Sequence, residues 1–522
     1  MLKEHLNVFK ITMMKGPHTC TNASLNQRHK QLNSEYLSEE VFSLVKADLK
    51  INIAAIQAHA ETHLGYSVSY RQAWTAKQKV MEKLFGTFEE SYNVLPRFFH
   101  ALQISNPGSV VNFHHKEVIG GAAVFERVFW AFAPCIVGFQ FCRRLISIDG
   151  THLYGKYKGK LLIAVAFDAN NGLFPLCYAL VDNENNSNWE WFIDCIRTYV
   201  TDRAGICELS DRHASIKGAM RERWPEPLAY HRFCSRHFVS NFMDKFKDTQ
   251  LKEKFDLWMS RMKTYKPEAW TYLQKDGVEK WALSYDDGHR YGNMTTNMSE
   301  IFNSVLEGGR FLPVTALVQL TFYLSNKYFV MRRIEVGNSR AEGREWPPQV
   351  LADIFRERES SKRQHVRMFN HNPPTFHITT RVRRTDNNQG GVRCHVVCLL
   401  QGSESCSCNM WRLYHRPCSH VFAACSAMNI GYSHLMEDYF TLSAYANCYR
   451  PTFYPIPDET QWPEYTGPRI LPDPDLRRSK KSRPKSTRLT NGMDMREAKS
   501  HYKCSICHQS GHNKKHHTNS ES

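Results

Sequence analysis

Between residues 140 and 220 the apolar pattern changes period, and that change constrains the fold more than any other feature of the chain. RRLISIDGTHL is a short β-branched run ending in a polar turn. KLLIAVAFDANNG is a second, closed by the turn signal Asn170-Asn171-Gly172, and LFPLCYALVDNEN is a third. NWEWFIDCIRTYV then carries a helical stripe of Trp191, Phe192, Cys195 and Ile196, with Asn188 as the expected N-cap. ICELSDRHASIKGAM returns to a strand that runs into a helix. The order is β-β-β-α-β-α. Three hairpin-linked strands followed by a helical crossover make a mixed sheet, in which the fourth strand is parallel and can lie against the first.

The flanks read differently. Residues 26–135 are expected to form a helical region. SEEVFSLVKADLK starts with Ser38 as N-cap, and the later YRQAWTAKQKVMEKLFGTFEESYNVLPRFFHAL has apolar residues three and four apart, closing near Asn106-Pro107-Gly108. The α/β domain is expected over 136–330, its part after residue 225 again reading as helical, and a connecting region over 331–392. RCHVVCLL alternates like a strand and opens a small module over 393–432. A basic, Pro-containing linker over 465–500 leads to a last Cys/His cluster over 501–522.

Lys plus Arg is 68 against 51 Asp plus Glu, a net charge of +17 that favours a polyanionic partner, nucleic acid or an acidic membrane surface. The longest apolar run, Val128 to Phe141, falls short of the roughly 20 residues that span a bilayer, so no membrane segment is expected. The first twenty residues lack a signal peptide's apolar core. The cysteines are thus expected in a reducing compartment, where clustered ones read as metal ligands. Cys135, Cys142, Cys177 and Cys195, single in apolar text, read as core.

Two acids sit where a strand should give way to a polar turn: Asp149 in SIDGTHL and Asp211 in LSDRHAS. Adjacent first and fourth strands would bring them together. Glu300, in TTNMSEIFNS, lies in a helix that could pack across the same edge. Three hard oxygen donors suit divalent ions, and a metal pair can stabilise both attacking and leaving oxygens in phosphoryl transfer. By spacing alone, strand-end aspartates are more often turn or cap residues.

The whole stretch from RRLISIDGTHL through LSDRHASIKGAM, with the later HRFCSRHFVSNF and NMTTNMSEIFNSVL in the same order, resembles the transposase domain of plant Mutator-like elements, the MuDR family. The resemblance extends from about residue 10 to the end. It implies an α/β, RNase H-like mixed sheet carrying a DDE triad, here Asp149 in DGTH, Asp211 in SDRH and Glu300 in the NxxSE segment, flanked by helical regions and small zinc modules. Cys234 and His237 match the family's Cys-x2-His signature. They read as a metal or DNA-end contact, or alternatively as a buried cysteine and a surface histidine on a helix; two ligands alone do not make a zinc site. Arg212 and His213 become candidates for phosphate or scissile-strand contacts.

Cys406-x-Cys408-x9-Cys418-x-His420 offers three thiolates and an imidazole, a tetrahedral zinc set. The two tight pairs suit a strand hairpin and the first turn of a helix. With Trp411 and Pro417 the segment resembles a SWIM-type zinc finger, although Tyr414-His415-Arg416 stands where such fingers usually have a Gly-bearing turn. Cys425 belongs on the next helix as a packing residue. KCSICHQSGHNKKHH resembles a CCHC zinc knuckle with Cys504, Cys507 and His512 in place and His517, or neighbouring His516, in the position of the last cysteine. GPHTC resembles the close of a zinc-type DNA-binding domain, with His18 and Cys20 as its last two ligands, so residues 1–25 read as a remnant of that domain. The run from Arg477 to Arg488 reads as a linker, a nuclear localisation signal or a phosphate-binding arm.

These features lead to one expectation: a nuclear, zinc- and DNA-binding Mutator-like transposase or a protein derived from one. Structural Zn²⁺ and catalytic Mg²⁺ or Mn²⁺ would serve strand cleavage and joining on terminal repeats. The alternatives are a non-catalytic DNA-binding regulator on regulatory DNA, and a protein-interaction module whose zinc segments contact partners or a second copy.

Overall fold

The computed structural model describes residues 2–3, 8–9, 32–116, 121–238, 250–382 and 391–478, in two compact units divided between Thr87 and Phe88. In the first unit β1 (Leu2–Lys3) pairs with β2 (Val8–Phe9). Three helices, α1 (Ser34–Glu40), α2 (Phe42–Ala47) and α3 (Ile53–Leu64), pack on α4 (Tyr70–Phe85). They bury Leu37, Val45 and Ile56, and α4 buries Ala73, Ala76 and Val80. The first cap is Asn33, not Ser38: its side chain takes the N–H groups of Glu35 and Tyr36, while Ser38 is buried inside α1 and donates to Glu35 O. Asn52 caps α3, and Ser69 with Gln72 forms a capping box on α4.

The second unit is built on a mixed sheet. Its strands are β3 (Val110–Lys116), β4 (Ala122–Ala131), β5 (Leu145–His152), β6 (Lys160–Phe167), β7 (Leu173–Val181), β8 (Ile206–Ser210), β9 (Ala229–Phe233) and, from the far end of the chain, β14 (Arg469–Leu471). The order is β14-β4-β7-β6-β5-β8-β9, with β3 paired to β4. β5, β6 and β7 are antiparallel neighbours; β8 is parallel to β5 and β9 parallel to β8. The fourth strand of the run therefore lies against the first. Both parallel links need crossovers, supplied by α7 (Asn186–Cys195) and α8 (Ala214–Arg223). Asn185, not Asn188, caps α7. β6 and β7 are buried almost throughout, as strands covered on both faces must be. The expected core cysteines Cys135, Cys142, Cys177 and Cys195 are all buried.

Two expectations about segments fail. Residues 26–135 are not helical throughout: α5 (Phe88–Ser105) belongs to the second unit, and β3 and β4 form an antiparallel hairpin. The apolar run Val128 to Phe141 concealed it by joining the end of β4 to α6 (Ala133–Phe139) without a visible break. In the stretch after residue 225, AYHRF is a strand. Its polar pair, His231 and Arg232, is buried, so the strand lacks the alternation of a half-exposed one. Helices α9 (Ser235–Phe238), α10 (Lys252–Tyr265), α11 (Pro267–Gln274), α12 (Asn297–Val305) and α13 (Val314–Ala341) fill the rest. The connecting region 331–392 contains α14 (Pro348–Ser361) and two strands, β10 (Gln364–His371) and β11 (Pro374–Val382). These share one antiparallel sheet with β12 (Gly391–Cys398) and β13 (Ser405–Cys406). The linker is folded at its start, where β14 pairs in parallel with Ala122–Val124. Helices α15 (Met410–Tyr414), α16 (Ser419–Met428) and α17 (Leu442–Tyr449) lie between. Among the described residues no helix is long and apolar enough to cross a membrane.

What makes β9 tolerable in the core is Asp286. Its carboxylate takes Arg232 Nε at 3.1 Å, Arg290 Nε at 3.0 Å and the Arg290 N–H at 2.8 Å, while Arg290 Nη1 donates to Phe233 O at 3.1 Å. Asp286 and Arg290 are fully buried. Asp286→Ala would leave the fully buried Arg290 guanidinium without an acid and Arg232 with only Glu226, and a loss of about 3–5 kcal/mol is expected in urea unfolding. A loss below about 1 kcal/mol would show that water enters and solvates the pair.

Candidate metal centres

The finger is assembled by three local devices. β12 and β13 pair antiparallel through Val397 opposite Cys406, and Ser407 N–H donates to Val396 O at 2.9 Å, which holds Cys406 and Cys408 on one tight hairpin. Asn409, at φ 64°, turns the chain into α15, and His415, at φ 54°, ends it. Histidine thus adopts a left-handed conformation that glycine more often takes. Cys418 is the N-cap of α16, so His420 falls in its first turn, and Glu357 Oε2 accepts the Ser419 N–H at 2.8 Å.

The result is a compact Cys3His group. Cys406 Sγ lies 3.3 Å from Cys408 Sγ, which lies 3.4 Å from Cys418 Sγ. His420 Nδ1 is 3.8 Å from Cys406 Sγ and 3.7 Å from Cys418 Sγ. All four ligand atoms fall within 4.8 Å of one another. Sulfurs about 2.3 Å from a tetrahedral zinc are separated by roughly 3.8 Å, so the cage fits that ion after a slight expansion. The neighbouring Cys406 and Cys418 sulfurs push the Cys408 thiol far down, Cys408 pushes Cys406 up to about 12, and Cys406 with Cys408 pushes Cys418 well up. Cys425 is buried on α16 outside the group, packed with Phe376, Ile378, Val397 and Val421.

The finger also rests on the segment that leads into α12. A Cβ on Gly288 would sit 2.5 Å from Arg412 O, and one on Gly292 would sit 2.2 Å from the Tyr414 ring. Both glycines have positive φ, so close approach and backbone conformation each demand them. His415 Nε2 completes the seat by donating to Gly288 O at 2.8 Å.

The second centre is the edge where β5 outruns β8. Asp149 is not at the end of its strand, because β5 continues to His152 and Asp149 pairs with Ile163 of β6. The parallel ladder to β8, however, stops at Ser147 opposite Leu209. Continuing that register by two residues sets Asp149 level with Asp211, just past the end of β8. Asp211 Oδ1 accepts the His213 N–H at 2.8 Å, shaping the turn into α8. Glu300 sits in the first turn of α12, and the buried hydroxyls of Ser299 and Ser147, 3.2 Å apart, hold that helix against β5.

Two residues at this edge escaped the sequence reading. Asn303 Nδ2 donates to Asp149 Oδ2 at 2.7 Å, while Gly150 N–H holds Oδ1 at 2.8 Å. Asn303 Oδ1 is buried with no hydrogen-bond partner among the described residues. Its spacing of three from Glu300 puts both on one helical face, a signal that was available. Arg236 Nη1 donates to Glu300 Oε2 at 2.6 Å. Among the described residues the Cys3His group is the one cluster of three or more closely set metal-type ligands.

The remaining candidates separate. Cys234 is buried, and its sulfur accepts the N–H of Thr296, the N-cap of α12, at 3.2 Å. It thereby anchors the helix that carries Glu300. The His237 side chain lies outside the described residues. Arg212 is ion-paired with Asp276 and lies over the Tyr272 ring, 4.7 Å from its centroid; His213 is exposed. His18, Cys20, Cys504, Cys507, His512, His516, His517 and the basic run after Arg478 lie outside the described residues.

No curated protein matches the chain. The family model of the MULE transposase domain matches residues 145–241, which contain Asp149, Asp211, Cys234 and His237 and stop before Glu300. That of the SWIM zinc finger matches residues 395–429, which contain all four ligands of the Cys3His group. The chain thus carries a MULE transposase domain and a SWIM zinc finger, and the pair matches a Mutator-like transposase with a SWIM domain.

Proposed function

We propose that this protein is a DDE-type transposase that binds DNA in the nucleus and cleaves and joins its strands with divalent cations. The observation that carries the reading is the β5–β8 register, which sets Asp149 level with Asp211 beneath the helix that brings Glu300. The strand order β7-β6-β5-β8-β9, three antiparallel strands followed by two parallel ones, supports an RNase H-like core.

The donor set fits a hard cation: three carboxylates and the partnerless amide oxygen of Asn303. Asp149, Asp211 and Glu300 would hold Mg²⁺ or Mn²⁺, which when bound supplies Lewis-acid stabilisation of the oxygens that attack and leave at a phosphodiester. Asn303 and the Gly150 N–H fix the plane of the Asp149 carboxylate. Arg236 neutralises Glu300 meanwhile. That ion pair is exposed, with 57% of the arginine side chain accessible, so it is worth only about 0.2–1 kcal/mol and a cation can displace it. Arg236→Gln should therefore bind Mn²⁺ up to about fivefold more tightly in a calorimetric titration. Unchanged or weaker binding would remove Arg236 from the site.

The same ion pair favours a second reading, a DNA-binding regulator whose acidic edge is permanently self-neutralised. One assay separates them. Zinc-loaded protein is incubated with supercoiled DNA bearing candidate terminal repeats, with and without Mn²⁺. Mn²⁺-dependent nicking supports the transposase, and salt-sensitive DNA binding without nicking supports the regulator.

A further inference from the structure

Away from both centres, the second half of α13 and the end of α17 enclose a groove of about 390 Å³. Three arginines line it, Arg333, Arg340 and Arg450, with Asn447 and Thr452 as further polar groups and no acid. Gly337 opens its floor: a Cβ there would meet nothing within 4 Å. Arg333 is built in. Its Nε donates to Tyr449 O at 2.6 Å and its Nη2 to Pro451 O and Thr452 Oγ1. The helix that offers the Tyr449 carbonyl is itself fixed, since Tyr449 OH donates to the buried Asp168 at 2.7 Å.

The other two guanidiniums are exposed and have no ion pair or hydrogen bond to any described residue. The nearest acids along α13 are occupied. Glu335 takes Arg332 at 2.7 Å and Asn170 at 2.8 Å, and Glu342 takes Arg344. Arg340 lies in the last turn of α13 and Arg450 is the C-cap of α17, positions where a cation meets a helix dipole favourably. That attraction accounts for each arginine singly. It does not account for three positive groups around one open groove with no counter-anion. Planar guanidiniums converging on a recess are suited to the oxygens of a phosphate, which they bind in pairs of hydrogen bonds.

We propose that this groove seats a phosphate of the DNA backbone, giving the protein a duplex contact separate from the carboxylate edge and from the finger. The proposal rests on the chain being a DNA binder. The test uses the full, zinc-loaded chain and a fluorescent duplex of about 25 base pairs, with affinity measured by anisotropy across a KCl series. Each lost phosphate contact lowers the slope of log affinity against log salt by about 0.9, so Arg340→Gln/Arg450→Gln should lower it by about 2 with an unchanged melting curve. Lys254→Gln/Lys275→Gln, the same charge removed from exposed sites on and after α10 and α11, should leave most of the slope in place. An unchanged slope in the arginine variant, or an equal loss in the lysine control, overturns the groove while leaving DNA binding intact. Wild-type protein that binds no duplex at low salt overturns both.

Discussion

Removing zinc with a chelator, or replacing Cys408 by alanine, is expected to unfold the finger from Gln364 to Met428. β12 and β13 are joined by only two residue pairs, and α15 has five residues, too few to hold together alone. Cys406, Cys408 and Cys418 are themselves part of the buried cluster around Phe376, Ile378 and Val397, so the ion is a structural member of that core. In small zinc modules metal binding contributes about 10–16 kcal/mol to folding, more than such a core supplies without it. The damage should spread. α15 seats on Gly288 and Gly292, in the segment that leads to Glu300, so that segment should lose hydrogen-exchange protection when zinc is withdrawn. Cys425→Ala is the contrast: it removes a buried sulfur but no ligand and should retain one zinc at a cost of about 1 kcal/mol. A chelated protein with unchanged circular dichroism and unchanged protease resistance over this region would contradict the assignment.

What could be read from the chain followed the range of the interactions involved. β5, β6, β7 and β8 are apolar runs bounded by turn residues, and their pattern is local. So is the spacing of Cys406, Cys408, Cys418 and His420, which fold onto one hairpin and one helix turn. β9 was invisible because AYHRF is held in the core by Asp286, more than fifty residues away. β10 and β11 carry several exposed polar residues, and only the pairing of β10 with β11 and of β11 with β12 reveals them as part of the finger. Asp149 looked like a strand end because a turn-like Asp-Gly follows Ile148; β6 pairs across it and carries the strand on. Asn303 and Arg236 act on Asp149 and Glu300, partners 154 and 64 residues distant, and of the two only Asn303 carries a local sign, its spacing of three from Glu300.

Asp149→Asn is expected to abolish metal-dependent chemistry while sparing the fold. The substitution keeps the shape of the side chain and removes the charge that cations need. Asparagine cannot accept from both Gly150 N–H and Asn303 Nδ2 as the carboxylate does, since one of its terminal atoms is now a donor. Asn303 can compensate by turning its amide, so that the oxygen now without a partner accepts from residue 149. The stability change should stay below about 1 kcal/mol. Mn²⁺ binding, by contrast, should lose one of the three carboxylates of the proposed site, and catalysis should fall by orders of magnitude.

The most direct test is Mn²⁺-dependent nicking of DNA bearing candidate terminal repeats by wild type and Asp149→Asn, with melting curves and DNA affinity measured on the same preparations. The account predicts that wild type nicks, that Asp149→Asn nicks at least about a hundredfold more slowly, a loss of roughly 2.7 kcal/mol of transition-state stabilisation, and that both melt and bind DNA alike. Equal nicking by the two proteins would contradict it.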